Sequence, residues 1–269
     1  KMKATVVTAL FDIGRKGVDG RGMDQYYEWF AETLKMSAPM VIYCDESTNS
    51  FIKEHRSPEK ETKIINQKLE EVPCYFLKQK IDDVLESEDY KDRIKDPDRI
   101  ECKTSLYSII QYSKFAWVER AALENHFNSD YFFWMDAGIS RHAPDLDMQR
   151  HLPGPQFASQ AKKHAGKVLY QMYMTPYPDL VNGIMTEDYF WDNRSFMWGG
   201  LFGVDKFGSI ALKAWCDEVL QNLMINSGRM NNEQLAIGYL AKKIPAGFLV
   251  LQCDARQHRN FEIMYQIFE

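Results

Sequence analysis

The chain has 269 residues, 45% hydrophobic and 13% aromatic, enough for one large α/β domain or two small ones around a substantial core. Its 26% charged residues are mixed in sign and sum to a net charge of −5, which gives no support to nonspecific nucleic-acid binding. Cys44, Cys74, Cys102, Cys216 and Cys253 are odd in number and contain no CxxC pair, so buried free thiols in a reducing compartment are expected. No stretch approaches the ~20 apolar residues of a membrane span, and the chain opens directly into a strand without a signal peptide. A cytoplasmic location is expected.

The β-branched run at residues 4–10 predicts a first strand, followed by a loop at 11–22 rich in Gly, Asp and basic residues. An aromatic amphipathic helix is predicted over 23–36 and a second strand over 40–44, ending at Asp45-Glu46-Ser47. A short helix at 51–56, a third strand at 62–69 and a helix at 76–85 follow, then a charged, exposed loop at 87–98. A long helix over 104–125 feeds the strand Tyr131-Phe132-Phe133-Trp134-Met135, which ends in Asp136-Ala137-Gly138. In the second half, 168–174 reads as a strand, 176–192 as an aromatic loop region lining something, and 195–204 as a Gly-rich strand or hairpin. Helices at 205–226 and 231–242 and a late strand at 248–251 complete the reading. Strand–helix alternation in the first half predicts a βαβ sheet, and the second half a mixed sheet.

The strand before Asp136 is apolar throughout, as a central strand buried on both faces must be, and it delivers one carboxylate at the sheet rim. Ligands of open α/β sheets bind beyond the carboxyl ends of the strands. Asp136 is therefore a candidate ligand for a metal or a sugar nucleotide, and Gly138 allows close approach to the backbone; capping or turn formation is the competing role. Asp12 and Arg15 leave the first strand with a carboxylate and a cation, the pairing a nucleotide needs, although no G-x-G-x-x-G or P-loop is present.

Trp198, Gly199 and Gly200 suit a ligand lying against backbone, with Trp198 and Trp191 able to stack on sugar faces; a bulged core strand explains them equally. Asn232 and Glu233 open a helix, where capping competes with a pocket-facing base and its neighbour. Lys114, and less so Arg120, could reach donor phosphates from the long helix. One carboxylate is thin for a cation, and His258 is the candidate second ligand, in a run with Asp254, Arg256 and Arg259; its imidazole suits Mn²⁺. His142, His151 and His164 have weaker context.

Residues 5–15 (TVVTALFDIGR), 40–46 (MVIYCDE), 133–139 (FWMDAGI) and 198–203 (WGGLFG) together resemble the HtrL/YibB family, over a span from the first strand to about Leu240. That family is associated with bacterial lipopolysaccharide-core gene clusters and is similar to GT-A glycosyltransferases. The resemblance implies a GT-A-like, Rossmann-type mixed sheet flanked by helices in a single domain over residues 1–269. Its nucleotide-binding half would cover about 1–140 and its acceptor-side half about 141–269.

It also implies transfer of a sugar from a nucleotide-sugar donor to a hydroxyl of a glycan or glycoconjugate, beside a membrane-bound glycan assembly system. Asp136 matches the first Asp of the GT-A Asp-x-Asp motif, where Gly138 replaces the second. Thr8 and Asp12 fall where base and ribose are held, Trp198-Gly199-Gly200 where the acceptor and donor-sugar pocket is shaped, and Glu233 where an acidic residue faces the acceptor. His258 resembles a late metal-binding His, with Mn²⁺ the implied cation. The rival from another class is a noncatalytic nucleotide- or sugar-binding protein with a decayed site, favoured by Gly138. A nucleotidyltransferase or phosphohydrolase would need a phosphate loop or clustered Asp and His ligands, which the sequence lacks.

Overall fold

Seven strands form one sheet in the order β3-β2-β1-β4-β6-β5-β7. They are β1 Ala4–Leu10, β2 Met40–Cys44, β3 Thr62–Asn66, β4 Tyr131–Met135, β5 Val168–Tyr173, β6 Met197–Val204 and β7 Phe248–Cys253. The computed structural model describes residues 1–175, 177–254 and 261–269. β1 pairs in parallel with both β2 and β4, while β6 pairs antiparallel with β4 and β5. β6 therefore runs against its neighbours, and the sheet is mixed, as expected. The chain leaves β1 outward to β2 and β3, then returns to β4 on the other side of β1. That reversal opens a crevice at the carboxyl ends of β1 and β4.

β4 is buried at every position because both its faces are covered. Phe132 and Trp134 join the core cluster that contains the long helix, while Tyr131, Phe133 and Met135 join the opposite cluster. The helices that matter for the site are α1 Met23–Thr33, α2 Asn49–His55, α3 Lys78–Glu86, α4 Glu88–Arg93, α5 Ser105–Glu124, α6 Lys206–Glu218 and α7 Glu233–Lys243. Thr104 caps α5, its side chain accepting from the Leu106 N–H, and Asn125 ends it in the left-handed conformation at φ 42°. α5 is apolar around most of its circumference because it lies between the sheet and α3 and α6. Its Trp117 stacks on Phe11, Tyr43 and Trp134, with ring centroids 5.6, 5.5 and 6.2 Å away. This stack ties the ends of β1, β2 and β4 to one helix.

Several expectations are corrected. The charged stretch at 87–98 is not a loop: Ser87 caps α4, and Tyr90, 1% exposed, donates its hydroxyl to the Met230 carbonyl at 3.1 Å. Tyr90 and Ile94 are both buried at helical i,i+4 spacing, which anchors an otherwise polar helix. β3 stops at Asn66 rather than 69. The helix at 205–226 is α only to Glu218 and then winds as a π-helix over Val219–Met224. Of residues 176–192, Pro176 lies outside the described residues, and Pro178–Asn182 and Glu187–Trp191 are short helical turns. Trp191 is buried beneath the Arg93 guanidinium, 4.1 Å from its ring, where no sugar reaches it. All five cysteines are free. Among the described residues no helix is long and apolar enough to cross a membrane.

Candidate active site

A cavity of about 540 Å³ opens beyond the carboxyl ends of β1 and β4. The loop after β1 supplies Asp12, Arg15 and Arg21; the segment after β4 supplies Asp136, Gly138, Arg141 and His142. β6 contributes Trp198, Gly199 and Gly200, α7 contributes Glu233 and Gln234, and α5 contributes Tyr107, Ile110 and Gln111 from one face. Asp12, Arg15, Asp136, Gly138, Trp198, Gly199, Gly200 and Glu233 thus share one cavity.

The other candidates do not line this cavity. Thr8 is fully buried on the face of β1 that carries Val6 and Leu10, and its hydroxyl has no partner among the described residues. It lies two residues before the end of β1, below the cavity, which Ala9, Leu10 and Phe11 line instead. Asn232 caps α7, its side chain accepting from the Gln234 N–H at 2.8 Å. Lys114 is 1% exposed and donates to Glu233 Oε1 at 2.7 Å and to the Gly199 carbonyl at 3.0 Å, so it neutralises an internal carboxylate instead of reaching phosphates. Arg120 pairs with Glu124 on the exposed side of α5. His151 is exposed and His164 is buried against Phe157, both away from this cavity. His258, Arg256 and Arg259 lie outside the described residues.

Asp136 receives a hydrogen bond from Trp134 Nε1 to Oδ1 at 2.8 Å, and its backbone N–H donates to the Gly200 carbonyl at 3.0 Å. The carboxylate is therefore aimed by the aromatic stack beneath it, and its other oxygen has no partner among the described residues. It caps no helix.

Glu233 is 2% exposed; Oε1 is held by Lys114, while Oε2 is buried without a partner among the described residues. Burial holds this carboxyl above its usual range and nearby Asp136 pushes the same way, against the pull of Lys114. Gly199 makes the arrangement possible: its N–H donates to Gln234 Oε1 at 3.0 Å, and a Cβ there would sit 2.5 Å from Glu233 Oε1. Asp12 Oδ1 accepts from the Gly14 N–H at 2.9 Å, so its carboxylate shapes its own loop.

The cations are concentrated on one side. Arg15 pairs with Asp19 at 2.8 Å, donates to the Tyr26 hydroxyl at 2.8 Å and lies 5.3 Å from the Tyr107 ring. Arg141 and Arg21 lie 4.6 and 6.0 Å from the Trp29 ring. Sequence reasoning missed Arg21, Arg141, Tyr107 and Trp29. Arg141 stood in view five residues after Asp136, and Tyr107, Ile110, Gln111 and Lys114 follow the i, i+3, i+4, i+7 stripe of one helix face. Among the described residues no three His, Cys, Asp or Glu side chains gather as a metal ion would need. Asp136, Glu233 and Asp12 each have one oxygen committed to a protein donor, and among the described residues they are not gathered into a three-ligand cation site.

No curated protein matches the chain. Among solved structures it is similar to mouse xyloside xylosyltransferase 1 in its apo form, at 8% identity, covering 100% of this chain and 94% of that one with a TM-score of 0.48. It is also similar to the mannosyltransferase Ktr4p from S. cerevisiae in complex with GDP, at 10% identity, 96% and 75% coverage and a TM-score of 0.46. For core-mannan synthase A from Aspergillus fumigatus in its Mn/GDP form the values are 8%, 93% and 73%, and 0.45. The family model HtrL_YibB, described as a bacterial protein of unknown function, matches residues 2–262, and the chain belongs to that family.

Proposed function

We propose that this chain is a glycosyltransferase that moves a sugar from a nucleotide-sugar donor to a hydroxyl of a glycan or glycoconjugate. The observation that carries the reading is the meeting, in one cavity at the strand switch point, of a buried carboxylate with a free oxygen and a bank of guanidinium groups. A transferase needs both: a base for the acceptor and positive charge for the departing diphosphate.

In this reading the acceptor hydroxyl stands at the part of the cavity wall to which Glu233 contributes. Its oxygen bonds to the anomeric carbon, its proton passes to the Glu233 carboxylate, and the bond from that carbon to the phosphate oxygen breaks with its electron pair leaving on the nucleoside diphosphate. A carboxyl held above its usual range suits a base that must release the proton again near neutral pH. Lys114 fixes Oε1 so that Oε2 keeps one orientation. Asp136, aimed by Trp134, offers its free oxygen to a donor hydroxyl. The half of the chain up to about residue 140 supplies the nucleotide side, and Trp198, Gly199 and Glu233 the acceptor side.

The test is direct. Purified protein is screened for stabilisation by UDP, GDP, CMP and dTDP, because a ligand that binds the native state raises its apparent stability. Sugar nucleotides of the preferred base are then followed for release of nucleoside phosphate, with and without acceptor glycans. Release is expected from the parent protein and its loss from Asp136→Asn, which keeps the shape of the side chain and the fold. Tight nucleotide binding with neither transfer nor donor hydrolysis would establish the noncatalytic binder instead.

A further inference from the structure

In the resemblance, Gly138 stands where a second carboxylate would help hold a metal-bound diphosphate. What occupies that space is Trp29 of α1: a Cβ on residue 138 would sit 3.0 Å from Trp29 Cε3. The indole that packs there lies beneath two cations, with the Arg141 guanidinium carbon 4.6 Å and that of Arg21 6.0 Å from its ring. Neither arginine has a carboxylate within ion-pair distance among the described residues, in contrast to Arg15, which is paired to Asp19. Arg141 donates its Nε to His142 Nε2 at 3.1 Å. That bond orients the guanidinium and leaves its two terminal nitrogens without a partner among the described residues. Arg21 and Arg141 repel each other, and stacking on an indole face offsets only part of the repulsion. The arrangement is complete only with an anion between them.

We propose that Arg21 and Arg141, carried on the Trp29 indole, hold the donor diphosphate directly, in the role that a carboxylate-bound divalent cation would otherwise fill. This rests on the cavity being a nucleotide-sugar site, and it says which charge that site uses. The fork of a guanidinium matches two phosphate oxygens at once, which an ammonium cannot do. Replacing the second carboxylate by glycine inverts the local charge: it removes an anion, and the space it frees admits the ring that supports two cations. Gly138 and Trp29 are then positioning residues, acting through the arginines.

Calorimetric titration of the full chain with inorganic pyrophosphate, UDP and GDP in EDTA tests this. Pyrophosphate and one nucleotide are expected to bind in EDTA, and added Mn²⁺ to leave the affinity nearly unchanged. Arg141→Ala and Arg21→Ala are each expected to weaken pyrophosphate by about 10- to 100-fold, the loss that follows from removing a hydrogen-bonded charge. Arg141→Lys should recover only part of it, and Gly138→Ala, which moves Trp29, should weaken pyrophosphate less than either alanine variant. Arg21 lies in a loop, so its replacement spares the fold.

Binding that requires Mn²⁺ and ignores both arginines overturns the clamp and leaves the transferase reading standing. Sugar transfer at parental rates in Arg21→Ala/Arg141→Ala does the same. Failure of every nucleotide and of pyrophosphate to bind, with or without Mn²⁺, overturns both.

Discussion

Lys114, buried behind the cavity, and Arg141, in its wall, have different fates. Lys114 projects from the middle of α5 into the protein, where a carboxylate, a backbone carbonyl and the Gln111 side chain take all its donors. Arg141 lines the cavity from the turn after β4, half-buried on an indole, and its terminal nitrogens have no partner among the described residues. The first cation is spent on holding the protein's own carboxylate, and the second is open to a charge that arrives from outside. Burial separates them: an internal charge must be paired for the fold to exist, whereas a charge at a cavity wall can stay hydrated until a ligand replaces the water.

The comparison is broken most severely by removing what Lys114 serves. Glu233→Gln keeps the size of the side chain and its place against Gly199 but cannot accept a proton. Loss of a general base predicts a fall in transfer of about 10²- to 10⁴-fold with donor binding retained. Turnover and nucleotide affinity measured on the same preparation check it; equal losses in both would move Glu233 from chemistry to binding.

Lys114→Met is expected to cost stability first. It strands the Glu233 carboxylate in an apolar setting, and breaking a buried pair from one side costs about 3–5 kcal/mol. Denaturant unfolding measures this, and Lys114→Met/Glu233→Leu should recover much of the loss. If the single variant retains enough fold to assay, the acid limb of its rate profile should move to higher pH, since the one cation that pulls the Glu233 carboxyl down is gone. Arg141→Ala, by contrast, should hardly change stability, because it strands nothing. Trp134→Phe sharpens the contrast at smaller scale. It deletes the hydrogen bond to Asp136 while preserving most of the aromatic stack, and a loss of about tenfold in transfer with little change in unfolding is expected.

Much of this fold was legible because its strands are extreme. β1, β2 and β4 are apolar nearly throughout, a pattern that only a doubly covered sheet explains, and Asp136 ends one of them. The same reasoning erred where one buried residue governs a polar segment, as Tyr90 does in α4, because charge count outweighed a single i,i+4 pair. Residue type alone misplaced Lys114 and Asn232: a lysine flanked by aromatics reads as a pocket cation, yet those aromatics were its burial. Gly138 and Arg141 are more than a hundred residues from Arg21 and Trp29, so their juxtaposition needs α1 laid against the turn after β4, a long-range contact that no local pattern encodes. Thr8 lies too deep in β1 to line the cavity, which begins at Ala9 and Leu10.

The smallest effect concerns the histidine that leans on the unpaired arginine. Burial and the charges of Arg141 and Arg21 push His142 down to about 4, and burial together with Lys163 takes His164, wedged against Phe157, to about 4, both from an ordinary 6.5. A group whose folded value is depressed takes up its proton in the unfolded chain first. Stability present above pH 6.5 should therefore be lost as pH falls toward 4, and level off below it. Glu233 works the other way, because a carboxyl raised in the folded state binds protons more readily there, so the slope of the parent protein alone decides nothing. The variants decide: melting temperature followed from pH 7 to pH 4 should fall less steeply in His164→Asn and His142→Asn than in the parent, and least in the double variant, by a few degrees. His142→Asn alone should also loosen pyrophosphate, since it removes the acceptor that orients Arg141. Equal slopes in all four proteins would mean that both imidazoles are protonated as freely in the fold as outside it, and the tether between His142 and Arg141 would then be lost below about pH 6.5.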